Sequence, residues 1–82
     1  MRIDEENLAE AISTATNLRR QLAATAVSIA ETEERLADTL DRLARSRPRD
    51  AERLRERAAH ARRFAASERA RAATYRSHPH DP

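Results

Sequence analysis

Arg45–Asp50 reads "RSRPRD", and it separates two long stretches of helix-forming sequence that contain no glycine. Pro48 has no N–H to donate and pushes Arg47 out of the helical region, so a helix arriving from the N-terminal side should end there. Pro48 also suits the first position of a new helix, with Asp50 near its third. The chain either kinks at this point or folds back, and the register of the flanking residues decides between the two. Carried through Pro48, the frame of the first stretch would put Arg47, Asp50, Arg57, Glu68 and Arg71 into a packed seam. A frame restarted at Ala51 does far better.

From Ala51 the chain repeats every seven residues as "AERLRER", "AAHARRF", "AASERAR" and "AATYRSH". Ala51, Ala58, Ala65 and Ala72 open the units, and Leu54, Ala61, Glu68 and Tyr75 hold the fourth place. Arg55, Arg62, Arg69 and Arg76 hold the fifth. A row of alanines lets a neighbouring helix approach closely, which favours an antiparallel hairpin over a kinked rod. The lack of a glycine in the turn is the main feature against it.

The first stretch starts with clear capping signals. Asp4 is a good N-cap, Glu5 and Glu6 place negative charge in the first turn, and Ile3 and Leu8 are spaced as a hydrophobic staple. Beyond them Leu8, Ala15, Leu22, Ile29, Leu36 and Leu43 recur every seventh residue and define a row d. Ile12, Ala26 and Leu40 fall on row a, which Arg19 and Glu33 interrupt. Row e is small throughout: Ala9, Thr16, Ala23, Ala30, Ala37 and Ala44.

The expected fold is therefore all-α, with a helix over 4–45, a turn at 46–49, a second helix over 50–77 and a disordered tail at 78–82, forming one domain over 1–82. Only 12 residues are Val, Ile, Leu or Phe, too few for a broad globular core. The expected intrachain seam consists of Leu22, Ile29, Leu36, Leu40 and Leu43 against Leu54, Ala58, Ala61 and Ala65. Charge supports folding back: residues 1–46 carry nine acids and six arginines, and residues 47–82 five acids and ten arginines. In that pairing Glu33 falls beside Arg62 and Arg63, unless it reaches water instead.

The two helices differ in length, so the fold-back covers the first only from about residue 19 onward. Leu8, Ile12, Ala15 and Leu18 are left without an intrachain partner, which predicts an oligomer interface and assembly into a helical bundle. A homodimer is the favoured form, with a helical protein partner as the alternative.

Chemical motifs are few. Without glycine there is no phosphate-cradling loop, and without cysteine no thiol nucleophile or thiolate metal site. His60 stands alone, and His78 and His80 flank Pro79 in the tail, so neither a metal nor any other cofactor is expected. No catalytic residues and no small-molecule substrate are expected. The opening "MRIDEENLAEA" is acidic and no long apolar run follows, so the chain is expected to be cytoplasmic, without membrane contact. Basic residues number 16 and all are Arg, as codon choice in a GC-rich bacterial genome would produce without selection for guanidinium chemistry.

Nucleic acid is the rival partner. Arg55, Arg62, Arg69 and Arg76 form a row with a spacing of roughly 10 Å, candidate contacts to a polyanion. A net charge of +2 and the presence of only Phe64 and Tyr75 for stacking count against this reading. A non-catalytic association module, structural, adaptor or regulatory, is the leading expectation, and a small dimeric nucleic-acid binder the second.

Overall fold

The computed structural model describes residues 4–77. Two helices, α1 (Glu5–Ser46) and α2 (Ala51–Ser77), pack side by side as an antiparallel hairpin, joined by a single 3-10 turn at Pro48–Asp50. Its principal extents are 68 × 18 × 17 Å, a rod about as long as α1 alone. The staple residue Ile3 and the expected tail at 78–82 lie outside the described residues.

The start of α1 follows from its sequence. The Asp4 carboxylate accepts the Asn7 N–H at 2.8 Å, and the Asp4 carbonyl accepts the Leu8 N–H at 3.1 Å. The first contact satisfies an otherwise orphaned amide donor of the first turn, and the second is the opening bond of the helix itself. At the other end the helix stops at the residue before proline. Arg47 has φ −130° and ψ 78°, outside the helical region, and its N–H still closes the last turn onto the Leu43 carbonyl at 2.9 Å. The Asp50 N–H then donates to the Arg47 carbonyl at 3.0 Å, and the 3-10 turn runs directly into α2. No described residue has a positive φ. The reversal therefore needs no left-handed residue: one extended residue followed by Pro48 makes the turn that the missing glycine argued against.

Between the helices the packing is mostly alanine on alanine. Ala23, Ala26, Ala30, Ala37, Leu40 and Ala44 are buried on α1, and Ala51, Leu54, Ala58, Ala61, Ala65 and Ala72 on α2. Leu40 and Leu54 anchor the cluster nearest the turn, with Leu43 half-buried against it. A smaller cluster of Ala23, Ala26 and Ala72, flanked by Val27 and Tyr75, closes the far end.

The seam is rotated from the expected one. Leu22, Ile29 and Leu36, expected to face α2, are instead 48%, 38% and 43% exposed. The hairpin uses rows a and e of α1, not row d. The cause is size: α2 offers a face of alanines, and the backbones can close on it only if α1 also presents small side chains. Ala23, Ala30, Ala37 and Ala44 supply them. Leucine and isoleucine at the same place would hold the helices apart, so row d turns to one flank.

One charged residue enters the seam. Glu68, in the fourth place of its repeat, is 6% exposed, and its carboxylate accepts from Arg71 Nη1 at 3.3 Å. It sits between the two apolar clusters, where a leucine would otherwise be expected.

Candidate association surface

The two flanks of the hairpin have opposite chemistry. On one, acids of α1 meet the arginine row of α2. Arg62 Nη2 lies 3.0 Å from Asp38 Oδ1 and 2.7 Å from Asp41 Oδ2. Arg69 grips Glu34 with both prongs of its fork: Nε donates to Oε2 at 2.9 Å and Nη2 to Oε1 at 2.7 Å. These hydrogen bonds hold the Glu34 carboxyl below its ordinary value and raise Arg62 and Arg69 above theirs. In each case solvent loss opposes the shift and is outweighed.

Half of the predicted polyanion row is thus committed to carboxylates within the chain. Arg55 and Arg76 form no ion pair among the described residues. Glu33 does not join Arg62 or Arg63. It is half-buried on the opposite flank, in a hollow shared with Leu36, Arg57 and His60.

The Glu34 bond sets a pH dependence. A carboxyl whose folded pKa is depressed contributes stability above its unfolded value, near ~4.3, and loses it as pH falls through the lower folded value. Because the pair is exposed, the effect is small. Helix melts compared between pH 7 and pH 3 should show a shallower acid loss for Glu34→Gln than for the parent chain. Equal slopes would mean that the fork contributes nothing in solution.

The other flank is apolar and open. On α1 it is lined by row d, with Leu22, Ile29 and Leu36 38% to 48% exposed; Leu8 continues that row into the overhang, where Ile12 and Leu18 stand on the rows to either side of it. On α2, Arg57 lines the hollow beside Leu36 and Arg71 the hollow beside Ile29. Phe64, 44% exposed, lies one heptad from each of them and so in the same row. Leu22, Ile29, Leu36 and Phe64, the exposed large hydrophobic residues where the two helices lie side by side, therefore fall on one flank.

The two hollows form a shallow groove between the helices, floored by Ala26, Leu40 and Ala61 and lined on the α2 side by Glu56, Arg57, His60, Glu68, Arg71 and Tyr75. Ala15, the fourth residue of the expected oligomer interface, is half-exposed on the same row as Leu8 and Leu22.

The sequence sets the overhang Leu8–Leu18 apart from Leu22–Leu36, whereas in the structure the exposed row d runs through both. Phe64 shows in the sequence only as a stacking residue. The missed signal is the uniformly small row e, which competes with row d for the place opposite α2 and wins.

Among the described residues no group of His, Asp and Glu is arranged to hold a metal, and no helix is long and apolar enough to cross a membrane. The fold is a two-helix hairpin with an overhanging first helix. No family model, curated protein or solved structure matches the chain.

Proposed function

We propose that this chain is a non-catalytic association module whose working surface is the apolar flank. The observation that carries the reading is the segregation of large side chains: the interior is alanine apart from Leu40, Leu54 and Glu68, while Leu22, Ile29, Leu36 and Phe64 stay exposed along one side. Contiguous apolar patches of this kind mark docking sites on otherwise polar molecules. A helical partner fits best, because the residues follow helical spacing and border a groove between two helices. The rival reading, phosphate binding by α2, is weakened by the use of Arg62 and Arg69 within the hairpin.

A photo-reactive amino acid placed at Ile29, and separately at Arg55, tests this in the cells that make the protein. Position 29 lies on the apolar flank and position 55 on the arginine row. A protein adduct at Ile29 and none at Arg55 is expected. A nucleic-acid adduct at Arg55, or no protein adduct at Ile29, overturns the reading.

A further inference from the structure

We infer that the groove on the apolar flank receives the overhanging start of α1 from a second copy of this chain, forming an antiparallel homodimer in which each end is a three-helix bundle. The inference rests on the association reading and commits it to one partner.

The first support is the spacing of the apolar row, which complements itself. When two α1 helices lie antiparallel with Leu22 at the two-fold axis, Leu8 is level with Leu36 of the partner subunit and Ala15 with Ile29 of the partner subunit. Leu8 of one overhang then stands opposite the exposed Leu36 of the partner subunit, and the small Ala15 leaves room for the exposed Ile29 of the partner subunit. Nothing in the intrachain fold requires this match, because Leu22, Ile29 and Leu36 take no part in the buried seam.

Length is the second. The overhang from Glu5 to the level of Arg20 is about 24 Å long, and the α2 wall of the groove from Arg57 to Tyr75 is about 27 Å. Leu36 and Ala61 share one hollow, and Leu22 and Tyr75 the other. The incoming helix therefore runs alongside α2, with its Leu8 beside Ala61 and its Leu22 beside Tyr75. Ile12 arrives level with Ala65, next to Phe64.

Charge is the third. Residues 4–18 contain Asp4, Glu5, Glu6 and Glu10 and no basic residue. The groove end that would receive them is lined by Arg57 and His60 and also by the acids Glu33 and Glu56, so the attraction rests on one guanidinium and not on a basic wall. Arg57 forms no ion pair among the described residues. By symmetry any such contact occurs twice per dimer.

The chain has no cysteine, so single-cysteine probes are unambiguous. Sedimentation equilibrium of the parent chain at high micromolar concentration should give twice the 9.3 kDa chain mass. Under mild oxidation a mixture of Leu8→Cys and Leu36→Cys chains should form the mixed cross-link, and Leu22→Cys should link to itself. In the antiparallel pair two Leu8→Cys residues are about 42 Å apart, so that variant alone should not cross-link. Arg57→Glu should weaken the dimer roughly two- to tenfold at low salt, with recovery on adding Glu5→Arg. A monomer at that concentration overturns the second copy as occupant, while an Ile29 protein adduct in cells would still support association with a different chain. A dimer in which Leu8→Cys links to itself, or in which the mixed cross-link fails, overturns the antiparallel arrangement and leaves self-association standing.

Discussion

Leu54→Ala should cost the hairpin about 2–5 kcal/mol, the range for truncating a buried leucine. It should lower the melting temperature by roughly 10–30 °C for a domain of this size. The expectation is large because so little else is deletable. The buried positions are alanines apart from Leu40, Leu54 and Glu68, and the two leucines occupy the same cluster beside the turn. An alanine neighbour cannot swing in to fill the space, since it has no rotatable side chain. Native domains hold only about 5–15 kcal/mol in total, and a two-helix unit lies toward the low end. Leu36→Ala is the informative control. Leu36 is 43% exposed and borders the seam without entering it, so in the monomer its truncation should cost well under half as much. Circular-dichroism melts at low micromolar concentration compare the two directly. If both variants lose the same stability in the monomer, the rotated seam is wrong and row d faces α2 after all.

Much of the fold could be read before any coordinates. Asp4, Pro48 and the seven-residue repeat after Ala51 act locally: a cap, a missing N–H and a fixed helical period need no knowledge of the partner helix. The acid–arginine pairing across the hairpin was legible as a class, because net charge changes sign at the turn. Its members were not, and Arg62 took Asp38 and Asp41 where Glu33 had been expected. The rotation of α1 was hidden for a related reason. Rows d and e lie on either side of row a on the helix surface, so either can share the seam with it, and hydrophobicity alone ranks leucine above alanine for burial. The ranking reverses only when the opposing surface is itself alanine, so that backbone approach limits the packing. That is a property of the pair of helices, and the first helix read alone does not contain it. The apolar flank follows from the rotation and was visible beforehand only in its overhanging part.

Ala58→Leu should destabilise the hairpin, although it replaces a small apolar residue with a larger one. Ala58 is fully buried, as are Ala30 and Ala37 across the seam. Three added carbons have no free volume to enter, and relief requires off-rotamer side chains or separation of the helices, typically about 1–3 kcal/mol. Separation would also loosen the contacts that define the polar flank, because the bidentate grip of Arg69 on Glu34 depends on the helix spacing. The loss should therefore exceed that of an isolated overpacked site. Ala58→Ser, nearly the same size, should cost much less, since a serine hydroxyl in a helix can donate to the carbonyl four residues earlier. Thr74 already makes that bond to Ala70 in α2 at 3.0 Å. Fluorescent labels at the exposed Ser28 and Ser67, observed in single molecules so that only one chain is measured, report the spacing. They should lie close together in the parent and move apart in Ala58→Leu, toward the roughly 58 Å of a fully opened rod. A leucine that raises the melting temperature with no change in label distance would show that the seam has room for it. Close backbone approach could not then be what turns Leu22, Ile29 and Leu36 outward.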